Sequence, residues 1–394
     1  MFSSGFGVSQ YLFLPTAFEQ FFWVIIIYYL IKFGSSQNEK YLIFISLLAA
    51  LGFMNKYSIV FLFAGLVISV LLFKRELLAQ GVTWLSVLLL MVIISPNILW
   101  QFANGFPVFH HMSELYETQL NQQSFLKEFT TLNIFVNPFS FIIWLPALVV
   151  VPFHPKFNEH RLATFSLLFS CILLLSSKGK FYYYFPIILS LIAIGAVFIE
   201  NLLQKSKWIG YGYLFLLVSF GIYFLPHGIP LLKLEKYIKT YSLKPNSDNK
   251  IPLNFENYYS NENWERILKS VSDNYRAMSN EERQHCYVWG RHYSMAGNVN
   301  LLGHNYNLPT AFSLHSSYFS WVPDFDRNIV VIAISESNLR QDFWGQYFEN
   351  VEEIDVIVNH YASDESWYNY RIFLCRKIKY DSDELKRLFR TEIF

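Results

Sequence analysis

The sequence predicts a multi-pass α-helical membrane domain over residues 1–227, followed by a small α/β extracytoplasmic domain over residues 228–394. The first observation is charge density. Residues 1–227 contain 12 Lys+Arg and 8 Asp+Glu, whereas residues 228–394 contain 19 Lys+Arg and 22 Asp+Glu. The second segment has the density of about 25% charged residues that is usual in soluble domains. The other two observations are the apolar runs of residues 1–227 and the distribution of basic residues between them.

Apolar runs of about 20 residues have the length that a helix needs to cross a bilayer. Some runs in residues 1–227 are shorter than this. We predict eight membrane helices, at 14–33, 41–54, 57–73, 82–100, 138–153, 162–176, 183–200 and 208–226.

The second and third runs are separated only by Asn55 and Lys56. They predict two helices that meet at a tight tip below the membrane surface. A single long helix is the alternative, but its 33 residues at 1.5 Å per residue exceed the thickness of the hydrocarbon core.

Basic residues predict the orientation, because Lys and Arg are enriched in cytoplasmic loops. One set of alternate loops carries eight of them, namely Lys32, Lys40, Lys74, Arg75, Lys156, Arg161, Lys205 and Lys207. The opposite set carries Lys56, Lys127, Lys178 and Lys180. The sequence therefore predicts that the second set and residues 228–394 lie outside, with a bacterial inner membrane as the simplest location.

Residues beyond Pro245 change to an α/β pattern. Apolar residues at helical spacing predict a helix over 263–275. Short runs rich in Val, Ile and aromatic residues predict strands at 286–289, 329–334, 354–358 and 371–377. This alternation predicts a small α/β domain.

Composition excludes several classes of function. A net charge of +1 gives no electrostatic reason to expect a nucleic-acid partner. Residues 1–227 contain no aspartate, so they hold no Asp-x-Asp metal site. Three cysteines are too few for a disulfide framework, although a Cys286–Cys375 bridge is compatible with an extracytoplasmic domain. No nucleophile elbow, Walker loop, dinucleotide fingerprint or zinc-type cysteine spacing is present.

Glu19 lies near the predicted outer end of the first apolar run. An ionisable side chain at such a place typically faces a cavity or a partner. Two interpretations stay open: a carboxylate that reaches the outer headgroup region, or an acidic wall of an outward-facing site.

Lys56, Lys178 and Lys180 lie at predicted helix tips on the outer side. A lysine at the mouth of a helix bundle, beside tyrosine hydroxyls, suits phosphate because its ammonium is a point charge with three donors. Gly179 would let the backbone approach such an anion. Snorkelling of lysines within a tyrosine belt is the alternative.

Two further segments carry weaker signals. His110, His111 and Glu114 in the predicted outer loop 101–137 are candidates for an acceptor or divalent-metal site, because His110 and Glu114 would share one helical face. A solvated amphipathic helix is the alternative interpretation. Hydroxyls and aromatic rings in 308–321 suit carbohydrate, and a packed loop between strands is the alternative.

These patterns together resemble a known family. The chain is similar to the bacterial membrane glycosyltransferases of the dolichyl-phosphate-mannose protein mannosyltransferase type, family 39. The resemblance is carried by 18–23 (FEQFFW), 52–58 (GFMNKYS), 95–101 (SPNILWQ), 104–106 (NGF), 178–183 (KGKFYY), 308–321 and 373–376 (FLCR).

The resemblance implies a GT-C fold and transfer of a sugar from a polyprenyl-phosphate donor to a lipid or glycan acceptor, with inversion, at the outer membrane face. It implies that Lys56, Lys178, Lys180 and Tyr182 lie near the donor phosphate. Glu19 matches a position that is usually aspartate and lies close to the reaction centre, so it is the candidate catalytic residue. No cofactor is assigned, and the divalent metal stays an open alternative. Membrane lipids are further expected partners.

Family members have several helices before the stretch that matches Glu19, with an acidic residue in the first outer loop. The sequence predicts that this chain is either a fragment or a copy that is not catalytic alone. A different class of function explains the same lysines: a membrane protein that binds or moves a lipid-linked anionic ligand without chemistry. A structural subunit with a periplasmic docking domain is the third alternative.

Overall fold

The computed structural model describes residues 3–204, 206–246, 250–251, 253, 258–362 and 369–390, so Lys205 lies outside the described residues. The chain forms two compact units, Met1–Ile229 and Pro230–Phe394.

The first unit is helical. A helix lies in each of the eight segments predicted from the sequence. The described helices of this unit are α1 Ser4–Tyr11, α2 Pro15–Ser36, α3 Lys40–Asn55, α4 Val60–Phe73, α5 Gly81–Ala103, α6 Pro107–Thr118, α7 Phe125–Val136, α8 Phe141–Val149, α9 Arg161–Ser176, α10 Phe185–Leu203 and α11 Lys207–Phe224.

By length and apolarity, fewer helices can cross a membrane than the eight that we predicted. Five helical stretches among the described residues pass both criteria: Pro15–Ser36, Gly81–Ala103, Pro155–Ser176, Phe181–Leu203 and Lys207–His227. The total is six if α7 and the segment that contains α8 are counted as one bent span. The stretches Lys40–Asn55 and Tyr57–Phe73 are apolar but shorter.

The prediction of two helices around Lys56 is confirmed. α3 ends at Asn55, and Lys56 has an extended backbone with φ −159° and ψ 128°. A short 3₁₀ turn, Tyr57–Ile59, then leads into α4. One extended residue is enough to end the helical hydrogen-bond ladder, so the chain turns at the lysine that separates the two apolar runs.

The predicted span 138–153 coincides with the helical segment Pro138–Phe153, but this segment is not α-helical throughout. Only α8 is α-helical there, and 3₁₀ turns at Pro138–Ser140 and Val151–Phe153 flank it. α7 and this segment meet at an angle of 101°. Each flanking turn contains a proline, and a proline removes a backbone donor and favours the first turn of a new helix over continuation of an old one.

Glycines bring the helices of this unit close together. A Cβ atom at Gly65 of α4 would lie 2.3 Å from the Ser166 carbonyl oxygen of α9, and one at Gly195 of α10 would lie 2.2 Å from the Ile143 carbonyl oxygen of α8. Neither place can hold a larger residue without moving a helix. Small residues allow such close approach of helices in membranes.

Gly195→Leu is therefore expected to destabilise the first unit by at least about 2 kcal/mol, because the side chain must displace the α8 backbone. The measurement is the midpoint of thermal unfolding of the detergent-solubilised protein. Gly212→Ala is the matched control, since a Cβ at Gly212 meets nothing within 4 Å. Equal midpoints for both variants would contradict the observed α8–α10 packing.

The second unit contains a five-stranded sheet of order β2-β1-β3-β5-β4. β1, β2 and β3 are parallel, and β5 is antiparallel to both β3 and β4. The described elements are α12 Leu234–Thr240, α13 Ser260–Ala277, α14 Asn280–Gln284, β1 Cys286–Gly290, α15 Tyr293–Leu302, β2 Ala311–Phe312, β3 Val330–Glu336, α16 Gln341–Gly345, β4 Phe348–Ile357, β5 Tyr370–Ile378 and α17 Ser382–Phe389.

The predicted helix over 263–275 and the four predicted strands are present as α13, β1, β3, β4 and β5. Side chains alternate between the two faces of a strand. On β1, Val288 packs in the apolar cluster that contains α13 and α15, whereas Trp289 packs with Trp344 of α16 and Phe389 of α17. The sheet therefore has a core on each face.

Cys286 and Cys375 do not form the disulfide that the sequence allowed. Both cysteines are free and buried. Cys286 belongs to the cluster on the α13 face, and Cys375 belongs to the cluster on the α16 face. Strand β3 also separates β1 from β5. Burial raises the pKa of the Cys286 thiol to about 12, so this thiol is protonated in the folded domain.

Candidate functional site

An ion pair between a partly exposed lysine and a buried glutamate joins two helix ends of the first unit. Glu19 lies one turn into α2, which begins at Pro15, and it is 2% exposed. The Lys56 Nζ lies 2.6 Å from Glu19 Oε2. A charged hydrogen bond of this length is strong, and a buried carboxylate without such a partner would be costly. The extended backbone at Lys56 thus positions an ammonium that Glu19 contacts.

Hydroxyl groups complete the surroundings of this pair. Ser58 Oγ donates to Glu19 Oε1, and Thr16 Oγ1 lies 3.4 Å from Lys56 Nζ. Asn55 Nδ2 donates to the Pro15 carbonyl oxygen at 2.9 Å. Both Glu19 carboxylate oxygens therefore have a partner, and the tip 55–58 is attached to the start of α2.

Two tyrosine rings lie against the Lys56 ammonium. Its Nζ is 5.5 Å from the centre of the Tyr182 ring and 5.0 Å from that of Tyr183. Ring faces attract cations within about 6 Å. Three of the predicted site residues, Glu19, Lys56 and Tyr182, are thus brought together by the fold.

Lys178 and Lys180 contact a different segment. Lys178 Nζ donates to Asn121 Oδ1 at 2.9 Å, and Lys180 Nζ donates to Gln119 Oε1. Both partners lie just after α6. Burial lowers the pKa of the Lys180 ammonium, and the negative charge of Glu128 opposes this shift.

Glu128 holds the other side of this tip. Its Oε2 accepts a hydrogen bond from the Phe181 backbone amide at 2.7 Å. Phe181 begins the short 3₁₀ turn that carries Tyr182 and Tyr183 to Lys56. Glu128 of α7 therefore positions the tyrosine pair through the backbone.

A polar network fixes the tip from the side of α5. Tyr57 Oη donates to Asn97 Oδ1 at 2.9 Å, and Gln101 Nε2 donates to Tyr57 Oη at 2.9 Å. Gln101 Oε1 also accepts from the Val108 amide of α6 at 3.2 Å. Asn97 and Gln101 belong to the 95–101 stretch that carries the family resemblance, and here they act as supports.

Loops that we predicted on one side of the membrane contact one another. The tips at Lys56 and at 178–183 meet, and the second also meets the segment after α6. Among the predicted cytoplasmic loops, Ser35 Oγ lies 2.9 Å from Glu159 Oε2, and the Arg161 guanidinium lies over the Phe73 ring. The contacts agree with the predicted alternation of loops.

His110, His111 and Glu114 lie on α6 and are exposed. In the parts of the chain that the structure describes, no three His, Cys, Asp or Glu side chains are grouped as metal ligands. The contacts described around α6 add nothing to the metal hypothesis, and the choice between it and a solvated helix stays open. The run 308–321 forms strand β2 and a 3₁₀ segment, Ser316–Trp321.

Sequence reasoning missed several residues of this site. Thr16, Ser58 and Tyr183 contact the ion pair, and Glu128 and Gln119 hold the second tip. The signal for Glu128 was available as a charge in a predicted outer loop. Neutral hydroxyl and amide side chains gave no comparable signal.

Residues 2–100 match the family model described as dolichyl-phosphate-mannose-protein mannosyltransferase. Searches of curated proteins and of solved structures give no match. The matched stretch contains the Glu19–Lys56 pair and ends within α5. Over this stretch the chain is similar to a family of membrane mannosyltransferases, in agreement with its apolar helices.

Proposed function

We propose that this protein is a membrane glycosyltransferase of family 39 type, located in a bacterial inner membrane. It transfers a sugar from a polyprenyl-phosphate donor to a lipid or glycan acceptor on the outer face. The observation that carries the proposal is the Glu19–Lys56 ion pair, which lies within the stretch that is similar to mannosyltransferases. The Tyr182 and Tyr183 rings, from outside that stretch, lie against the Lys56 ammonium.

Lys56 supplies the charge that the reaction needs. In inverting transfer, a carboxylate takes the proton of the acceptor hydroxyl or amine, and the acceptor atom bonds to the sugar carbon from one side. The bond from that carbon to the phosphate oxygen breaks on the other side, and the phosphate keeps the electron pair. An ammonium held beside the leaving oxygen stabilises this developing charge.

Glu19 holds that ammonium in place. The Lys56 ammonium has three donors, of which one is used at short distance by Glu19. Thr16 is a longer second partner at 3.4 Å. A phosphate oxygen can take a remaining donor without displacing the carboxylate, and we assign Glu19 to the reaction centre as the group that positions Lys56.

Lys178 and Lys180 provide further positive charge at the neighbouring tip. Their present partners, Asn121 and Gln119, are neutral side chains at the protein surface. Exchange of a neutral amide oxygen for a phosphate oxygen strengthens a lysine hydrogen bond, since the new acceptor is ionised. We therefore propose that both lysines bind the donor phosphate.

Replacing both lysines, as Lys178→Ala with Lys180→Ala, is expected to weaken donor binding about tenfold or more, since two charge-assisted hydrogen bonds are lost. The measurement is binding of synthetic polyprenyl-phosphate mannose to the protein in lipid nanodiscs, alongside release of polyprenyl phosphate in cell-envelope membranes. Lys127→Ala, at an exposed lysine of α7, is the matched control.

The binding and release measurements test the phosphate assignment and the transferase proposal separately. Unchanged donor binding and release in the double variant would overturn the phosphate assignment of Lys178 and Lys180. Donor binding by the unchanged protein without any release of polyprenyl phosphate would overturn the transferase proposal in favour of a binding protein.

A further inference from the structure

A group of aromatic side chains lies at the carboxyl ends of strands β1 and β2 in the second unit. His292 and Tyr293 follow β1, and His315 follows β2. The Tyr293 and His315 rings are stacked with centres 5.4 Å apart and an interplanar angle of 9°. The His292 ring centre lies 4.1 Å from that of Tyr293 and 4.5 Å from that of His315.

This edge is where ligands bind in open α/β sheets. β1 and β2 are parallel, so their carboxyl ends meet at the same edge. The chain leaves β1 towards β2 through α15, and it leaves the neighbouring strand β3 towards β4 on the opposite side through α16. The connections thus diverge between β1 and β3. Ligands bind outside the carboxyl ends of the strands at such a place, and His292 and Tyr293 directly follow β1 there.

The aromatic group continues along α15. Gly297 lies one helical turn after Tyr293, on the same face. The Tyr318 hydroxyl is 3.4 Å from the position that a Cβ at Gly297 would take, and the Tyr318 ring contacts Trp321 at 5.3 Å. Tyr293 is 44% exposed and Trp321 is 69% exposed. The result is an accessible aromatic strip.

Two serine hydroxyls accompany the strip, and the nearby Arg291 guanidinium is stacked on other rings. Ser294 and Ser317 are exposed beside the rings. The Arg291 guanidinium lies over Phe343 and Phe389, at the α16 and α17 side of the sheet. Burial and the nearby Arg291 charge lower the pKa of His292 to about 4, so its ring is neutral at neutral pH.

We propose that the strip formed by His292, Tyr293, His315, Tyr318 and Trp321 is a binding site for a neutral oligosaccharide. Sugar rings present flat C–H faces that pack on aromatic rings, and their hydroxyls need polar partners such as serine side chains. A neutral ligand fits better than an anionic one, because the His292 imidazole is uncharged and the Arg291 guanidinium lies over the Phe343 and Phe389 rings. This site is independent of the proposed transferase activity.

The test is saturation-transfer NMR on the 394-residue chain in zwitterionic lipid nanodiscs. The probes are mannotriose and chitotriose, with trigalacturonic acid as the acidic comparison. The unchanged chain is the reference, and any signal from sugar bound at the proposed transfer site is the part that persists in the strip variants. Transfer to the C–H protons of a neutral trisaccharide is expected at about 5 mM ligand, the range of weak binding.

Tyr293→Ala and Trp321→Ala are each expected to reduce the transfer at least about fivefold, since each removes a stacking face. Tyr293→Phe is expected to retain it. Leu388→Ala is the matched control, because Leu388 is an exposed apolar residue of α17, away from the strip. Thermal unfolding of each variant shows whether the fold is retained.

Three results would overturn the inference. They are absence of transfer to either neutral probe, equal transfer in the Tyr293→Ala variant, and transfer to the acidic probe alone. Loss of polyprenyl phosphate release in the transferase assay has no bearing on this outcome, so the two proposals fail separately.

Discussion

Lys56→Ala is expected to reduce release of polyprenyl phosphate by about 10²–10³-fold, the loss typical when one charge-stabilising donor is removed from an active site. Lys56 has the most constrained surroundings of the predicted lysines, with Glu19 at 2.6 Å and two tyrosine rings against it. The assay follows conversion of synthetic polyprenyl-phosphate mannose to polyprenyl phosphate in cell-envelope membranes by mass spectrometry.

Two controls make this result specific. Lys127→Ala removes an exposed lysine from the same predicted side of the membrane and is expected to leave release unchanged. Lys56→Arg keeps the charge but changes its shape and is expected to retain part of the activity. Full activity of Lys56→Ala would show that Lys56 has no role in the transfer.

Glu19→Gln is expected to lower both stability and activity. The substitution keeps the shape of the side chain but leaves the Lys56 ammonium without its counter-charge. Breaking a buried pair typically costs about 3–5 kcal/mol, and we expect about 2–3 kcal/mol because the Lys56 side chain is partly exposed. The measurements are the thermal unfolding midpoint in detergent and the release assay above.

A second substitution separates the two effects of Glu19. In Glu19→Gln with Lys56→Met, no uncompensated charge remains, so the unfolding midpoint is expected to recover while release stays low. Glu19→Asp keeps the charge and is expected to retain most of the stability. Normal stability and normal release in Glu19→Gln would contradict the proposed role of the pair.

Hydropathy located the helices of the first unit because apolar length is a local property. It predicted eight crossings, whereas five or six of the described helical stretches are long and apolar enough to cross a membrane. Hydropathy does not show where the backbone ends a helix. Pro138 and Pro152 are visible in the sequence, yet the direction in which the chain continues after them depends on packing. The turn at Lys56 was predictable from the sequence, because a single charged residue within an apolar run is unfavourable in the middle of a membrane helix.

The partners of the candidate site were less predictable. Glu19 and Lys56 were both singled out as ionisable residues in apolar surroundings, but they are 37 positions apart, and nothing local pairs them. Their contact depends on how α2 packs beside the tip 55–58. The cysteines give the same lesson in the second unit, since the register of the sheet decides which face each thiol occupies.

The bend between α7 and α8 connects the candidate site to the bilayer itself. If the segment that contains α8 crosses the membrane, the angle of 101° directs α7 along the membrane surface, where the exposed Phe125 and Leu126 would meet the lipid headgroup layer. Glu128, one turn further on, holds the Phe181 amide and thereby the tyrosines above Lys56. We therefore expect the thickness of the bilayer, through the position of α7, to alter how the two tyrosine rings lie against Lys56.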